Sequence, residues 1–323
     1  MNKIFVIGLF FTGFLNAQSF APNPEEVGST AIFKDSSVFI AWATNVVVHR
    51  GYLDIENPNL GFVSNGETSG AIGKVEGNSF DIVSLGDSGV AILTFDRPIE
   101  NGGGPDFAVF ENGFANDYLE LAFVEVSSDG VNYVRFPSVS EASIITQIGP
   151  FEFSDCRFFN NFAGKYRQGF GTPFDLEELK DEVNLDVMNI THVKLVDVVG
   201  TIDPLFGSFD SQGNVVNDLY PTPFPSGGFD LDGVGVIHQV PLSINEKKKE
   251  VIRIYPNPAQ SFLNVTINGV YEISILNVNG RLIYSSSIDN NLTIDVSNFE
   301  NGVYFLKLKN KDGVINEKIN IVK

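Results

Sequence analysis

Between Gly102 and Tyr133 the chain reads GGGPDFAVFENGFANDYLELAFVEVSSDGVNY, and few folds accept such a run. It spells two strands and a tight turn into a third. Phe107 and Val109 fall on one face of the first strand and Ala108 and Phe110 on the other. In the second, Leu119, Leu121 and Phe123 alternate with Ala122, Val124 and Val126. An ordinary half-solvated strand is apolar on one face only, so both faces here need cover. Ser128-Asp129-Gly130 supplies the positive-φ position that a hairpin turn wants. Carboxylates interrupt the apolar fabric: Asp106 before the first strand, Glu111 at its end, Glu120 and Glu125 in the second.

The same grammar extends on both sides. Val38–Trp42, Asn45–His49, Ser79–Leu85, Val90–Phe95, Ile190–Val199 and Gly235–His238 are short apolar runs separated by Gly, Pro and Asp turns. That spacing predicts an all-β sandwich. The 43% hydrophobic content, with 29 Phe, is enough for a real core. One short helix is expected from Asp175 to about Val183. Asp175 and Glu178 have capping-box spacing, and Phe174 and Leu179 suit a hydrophobic staple.

Met1-Asn2-Lys3, the apolar run Ile4–Leu15 and Leu15-Asn16-Ala17 have the form of a secretory signal peptide, residues 1–17, cleaved after Ala17. No cysteine follows the apolar run, which argues against a lipid anchor, and no later run is long enough for a transmembrane helix. Lys and Arg number 21 against 40 Asp and Glu, a formal net charge of −19. Nucleic acid needs a basic face and is excluded as a partner class. The single cysteine, Cys156, has no partner for an internal disulfide and reads as a small buried hydrophobe.

Phe229-Asp230-Leu231-Asp232-Gly233 is the most suggestive acidic run. On a regular strand Asp230 and Asp232 project to one side, and two like charges there repel unless a cation, protons or water separates them. Glu111 and Asn112 can reach the same end of a sandwich. Asp106, Glu111, Asn112, Asp230 and Asp232 therefore form a candidate oxygen cage for Ca²⁺. The competing reading is a set of hydrated strand-ending acids. Asp210-Ser211-Gln212-Gly213-Asn214 echoes a calcium loop but lacks the EF-hand spacing, and reads as a loop held by Asx-type bonds.

Aromatics crowd the loops. Tyr166, Phe170, Tyr220 and Phe224 are candidate ligand-stacking residues, against the alternative of a satellite core. Catalysis is not expected. The histidines, His49, His192 and His238, have no zinc spacing, no GxSxG elbow is present, and Cys156 lacks an activating neighbourhood. Glycoside hydrolysis by a carboxylate pair is the weakest alternative.

Val124–Phe136, VEVSSDGVNYVRF, resembles the strand-turn-strand of galactose-binding-like, discoidin-type jelly rolls. PDFAVFENGF, GKYRQGFGTPFDLEEL and FPSGGFDLDGVGVI resemble a group of uncharacterised bacterial cell-surface proteins, over most of residues 80–238. The resemblance implies a jelly-roll sandwich for residues 18–243. Surface proteins of this general look are associated with corrinoid capture in gut bacteria, which makes corrinoid an alternative ligand.

Residues 244–250, INEKKKE from Ile244, form a charged linker. Beyond it lie seven short strand candidates: Ile252–Tyr255, Leu263–Ile267, Tyr271–Val278, Leu282–Ser286, Leu292–Val296, Val303–Lys309 and Ile315–Val322. They predict a small Ig-like sandwich over 251–323. Ile254-Tyr255-Pro256-Asn257-Pro258, Leu263-Asn264-Val265, Ile275–Arg281 and Gly302–Lys307 resemble the type A C-terminal sorting domain of the type IX secretion system. The resemblance implies the type IX machinery as a partner and export to the cell surface or medium. The expected protein is thus a non-enzymatic, ligand-binding surface protein. Glycan is the first ligand class, and a structural or adhesive role is the main rival.

Overall fold

The computed structural model describes residues 19–241, 252–311 and 313–323. The signal peptide read over 1–17 and the linker read over 244–250 lie outside them. The chain divides into two compact units, the first ending at Pro241. Both are all-β, with 40% of the chain in strands and 5% in helix.

In the first unit the strands are β1 (Ile32–Phe33), β2 (Ala41–Trp42), β3 (Asn45–His49), β4 (Val83–Ser84), β5 (Val90–Ile99), β6 (Phe107–Glu111) and β7 (Ala122–Ser127). They continue with β8 (Val134–Arg135), β9 (Val139–Ser140), β10 (Phe159–Asn160), β11 (Phe162–Ala163), β12 (Phe170–Phe174), β13 (Ile190–Asp197) and β14 (Asp230–Val236). One antiparallel sheet runs β1-β12-β6-β14-β2, with β4 also on β14. The other runs β11-β7-β13-β5-β3, with β8 also on β7.

Phe107, Val109, Phe174, Val234 and Val236 from the first sheet share one core with Leu93, Val124, Val126, Val193 and Leu195 from the second. This is the expected sandwich. The double-sided strands find their second cover as required. Ala108 and Phe110 pack outward under Val75, Phe39 and Trp42. Leu119, Leu121 and Phe123 pack under Cys156, Phe159, Phe162 and Tyr166. Cys156 is buried, and burial pushes its thiol up to about 11. Phe107, Phe136 and Phe174 stack with centroids 5.0 to 6.0 Å apart at the middle of the core.

The turn after β7 forms as the residues dictate. Gly130 has φ 74°, and a Cβ there would meet the His192 ring at 2.7 Å. Asp129 Oδ1 accepts from Val131 N and Asn132 N, both at 2.8 Å. The expected helix is shorter than its capping pattern suggested, a single 3₁₀ turn at Leu176–Leu179. Asp175 does cap it, accepting from Glu177 N at 2.9 Å, while the Glu178 carboxylate accepts from Asn161 instead of reaching back. Leu176 and Leu179 are drawn into the core, which fixes the turn and stops it lengthening.

The second unit has β15 (Arg253–Tyr255), β16 (Phe262–Asn277), β17 (Leu282–Asp295), β18 (Gly302–Asn310) and β19 (Gly313–Ile321). The seven expected segments merge into five, because β16 and β17 run through the breaks at Asn268-Gly269 and Ser287–Asn291. Their ladder shifts between Thr266 and Val270, so one antiparallel sheet curls around its own core. Leu263, Val265, Ile273, Ile275, Leu306, Leu308, Ile319 and Ile321 meet inside it. Asn279-Gly280 makes the turn between β16 and β17, with Gly280 at φ 75° and Asn277 Oδ1 accepting from Asn279 N and Arg281 N.

Candidate functional site

Because β6 and β14 are antiparallel, the end of one meets the start of the other. Leu231 pairs with Glu111 at that edge. β4 adds Ser84 opposite Asp230. The irregular segment before β7 brings Glu120 to the same place. The result is a hollow of about 350 Å³. It is lined by Asn112, Glu120 and Asp230, by the rings of Phe114, Tyr118, Phe151 and Phe224, and by Thr222, Ser226 and Gly227. Phe114 and Tyr118 lie 4.3 Å apart and Phe151 and Phe224 5.7 Å apart. Phe114 and Phe151 are more than two-thirds exposed, although each is a large apolar ring.

Asp230 accepts a short hydrogen bond from Ser84 Oγ and another from the Asn112 side chain. Burial raises its pKa to about 6, offset by those two bonds and by Arg50. Arg50 itself donates to three backbone carbonyls, of Asn65, Gly66 and Ser84. Glu111 lies directly behind, 1% exposed. Its Oε2 accepts from Gly113 N at 2.5 Å, and its Oε1 has no partner. Burial first, then the charge of Asp230, holds its carboxyl well above the usual range. Glu120 is pushed the same way by burial and by the charges of Asp230 and Glu111. Three acids therefore share one field, and none of them has an ion-pair partner among the described residues.

The five residues of the sequence-read cage divide. Glu111, Asn112 and Asp230 meet. Asp106 does not, because it sits at the other end of β6, five residues and roughly 17 Å of extended chain away. There it is fully buried, accepting from Gly102 N at 2.7 Å and Leu176 N at 2.7 Å and facing His238 Nδ1 at 2.7 Å. Its work is to pin the 3₁₀ turn. Asn112 points its amide nitrogen at Asp230, and its Oδ1 accepts from Gln168, so it steadies the carboxylate. Asp232 lies at a bulge, where the register of β14 against β6 slips between Leu231 and Gly233, and its charge still adds to the field that raises Glu111. Among the described residues, no three His, Cys, Asp or Glu side chains are arranged to hold a metal ion.

Of the four sequence-read aromatics, only Phe224 lines the hollow. Tyr166 is 1% exposed in the second core, its hydroxyl 2.8 Å from Thr30 Oγ1. Tyr220 is buried and donates to Asp54 Oδ1 at 2.8 Å. Phe170 packs on Phe33 and under Arg167, where β12 pairs with β1. Tyr166 belongs to the second core of this unit and Phe170 packs against it, whereas Tyr220 is buried outside the hydrophobic clusters. Glu120, Tyr118, Phe114 and Phe151 were not read as site residues. Asp210 behaves as expected of a loop-former, accepting from Ser140 N, Gln212 N and Asn214 N.

The comparisons with known proteins bear on the second unit. Residues 253–323 match the family of the secretion system C-terminal sorting domain. This unit is similar to a sorting domain. The match supports the type IX assignment made from the motifs, and with it export to the cell surface or the medium. The match covers less than half of the chain and leaves the first unit to be read from its own geometry. No curated protein matches the chain. Among solved structures, the BSP domain of a biofilm associated protein is similar at 10% identity over 73% of this chain and 48% of that one, with a TM-score of 0.22. A β-glucuronidase of Parabacteroides merdae is 10% identical over 74% and 28%, TM-score 0.18. One of Ruminococcus gnavus is 12% identical over 73% and 37%, TM-score 0.17. The chain spans less than half the length of each, and likenesses this slight carry no argument. No described helix is long and apolar enough to cross a membrane.

Proposed function

We propose that the exported first unit is a non-enzymatic glycan-binding module, and that its binding site is the hollow above Glu111, Glu120 and Asp230. The observation that carries this reading is the pairing of exposed aromatic rings with two carboxylates, half-buried Glu120 and buried Asp230, in one concavity. Sugar rings offer C–H faces to aromatic side chains and hydroxyls to carboxylates, and this hollow has both kinds of wall. The likeness of Val124–Phe136 to galactose-binding-like jelly rolls favours the same class.

The acids also favour a Ca²⁺ ion at the floor. Buried carboxylates without a cationic partner are costly, and a hard divalent cation relieves that cost. Asp230 and Glu120 line the hollow and Glu111 offers its unpartnered oxygen from behind. With so few carboxylates, the remaining coordination comes from water or from ligand hydroxyls, which links metal to sugar. The volume also speaks about size. About 350 Å³ is at the small end of ligand pockets, which run ~300–1,000 Å³, and suits a sugar residue better than a corrinoid macrocycle.

The test is a glycan and corrinoid binding screen on the whole protein, with Ca²⁺ and with chelator. The reading expects a glycan signal that chelation weakens and that Phe224→Ala reduces. A flat response across the glycans, with or without metal, overturns it and leaves the structural or adhesive role.

A further inference from the structure

The hollow has a neighbour. A second cavity, of about 620 Å³, has a lining that includes Asn116, Asp117, Gln147, Glu152, Phe153 and Phe158. The two cavities share a wall. Phe151 lines the hollow, and the next residue, Glu152, lines the second cavity. Tyr118 lines the hollow, and the residue before it, Asp117, lines the second cavity. Consecutive Cα atoms lie about 3.8 Å apart, so the cavities abut along both stretches. Ser154 N donates to Asp117 O at 2.8 Å, and the Tyr118 hydroxyl donates to Pro150 O at 3.2 Å, which ties the two stretches together. The wall carries rings in solvent. Phe151 is 72% exposed and Phe153 60%. Two residues of chain hold their Cα atoms within ~7 Å of each other.

The second cavity is preformed. Residues 141–148 have no helix or strand, and buried polar side chains hold them instead. Asn217 is fully buried; its Nδ2 donates to Ser143 O at 2.6 Å and Thr146 O at 2.8 Å, and its Oδ1 accepts from Ile148 N at 3.1 Å. Gln147 donates to Gly200 O at 3.0 Å and Asp218 O at 2.9 Å and accepts from Ile202 N at 2.8 Å. A loop pinned this way loses little freedom when a ligand arrives. Asn116 has a buried Oδ1 without a partner, which native structures rarely leave.

Amides, hydroxyls and carboxylates stand here beside two phenyl rings, the mixture that suits a sugar and not a lipid or an apolar peptide. Lysine and arginine line neither cavity, whereas Glu120 and Asp230 line one and Asp117, Glu152 and Asp155 the other. Acids on both sides of the wall disfavour an anionic ligand. We infer that the second cavity is a further sugar subsite, and that the ligand is a neutral oligosaccharide whose chain crosses the wall at Phe151 and Phe153. The length and the charge of the ligand are what this adds to the glycan reading, on which it rests.

Calorimetric titration of the whole protein in Ca²⁺ is the test, on the wild type, Phe153→Ala and Phe224→Ala. The probes are galactose with β-1,4-galactobiose and β-1,4-galactotriose, glucose with cellobiose and cellotriose, and the uronic acid trimer of the same linkage. Affinity should tighten roughly tenfold from one sugar to three. Phe153→Ala should keep the monosaccharide affinity and lose that gain, while Phe224→Ala should weaken every member of the series. The uronic acid trimer should bind more weakly than the neutral one. Phe153→Ala should melt with the wild type, because its ring is largely in solvent. Equal affinity for one sugar and three, or a length gain that survives Phe153→Ala, overturns the inference and leaves the hollow reading standing. A uronic acid trimer that binds as tightly as the neutral one overturns the charge assignment. If Phe153→Ala removes all binding and Phe224→Ala none, the crossing chain and the hollow reading both fail, as they do if no sugar binds.

Discussion

Asp218 gives the sharpest prediction about stability. It is 4% exposed, its Oδ2 accepts from Leu121 N at 2.8 Å, and Leu219 N also donates to it. Burial outweighs those bonds and raises its pKa from 3.8 to about 7. A rise of that size corresponds to ~4 kcal/mol. The sign follows from proton binding. The folded carboxyl holds its proton more tightly than the unfolded one, so its contribution is fully present below about pH 4. It is lost as pH climbs through 7. Asp218→Asn removes the titration, keeps an acceptor for Leu121 N and loses the bond from Leu219 N, at a cost of ~1 kcal/mol. The variant should therefore be less stable than wild type by ~1 kcal/mol at pH 4 and more stable by ~3 kcal/mol at pH 8. Urea unfolding in chelator, followed by Trp42 fluorescence, measures this. Trp42 is the sole tryptophan and packs on Phe39 and Phe110, so it reports the first unit alone. A stability difference that keeps one sign and size across that pH range would refute the reasoning.

Three further outcomes are expected. Phe107→Ala opens a hole where three rings stack and should cost ~3–5 kcal/mol by the same fluorescence assay, with far-UV dichroism showing whether the sheets persist. Cys156 should resist a thiol-specific reagent at pH 8 and react on urea unfolding, since it is fully buried with its pKa pushed up to about 11; rapid native labelling would contradict that placement. Gly130→Ala should destabilise the first unit by ~1 kcal/mol or more, because its φ of 74° suits glycine and the new methyl meets His192; an unchanged midpoint would contradict it.

Much of the architecture was legible because it rests on local periodicity. Leu119, Leu121 and Phe123 against Ala122, Val124 and Val126 defined two buried faces, and the structure gives each its own core. The Asn279-Gly280 turn and the Asp210 loop were readable for the same reason, since their bonds lie within a few residues. The site was only half legible. Glu111 and Asp230 stood out as acids at strand edges, but Asp106 marks the far end of the same strand, a distance that a list of acids does not show. The bulge at Asp232 depends on pairing with β6, more than a hundred residues upstream. Glu120 sat in plain view between Leu119 and Leu121, and acid flanked by two core residues was the available clue. Tyr166 and Tyr220 looked like stacking residues because burial by distant segments leaves no local trace.

Calcium titration by calorimetry, after chelation, on the whole protein and on Asp230→Asn tests the central claim most directly. The account predicts measurable binding heat in the wild type, a smaller total in the variant, and glycan affinity that falls with it. Equal calcium heats and equal glycan affinity in the two proteins would contradict it.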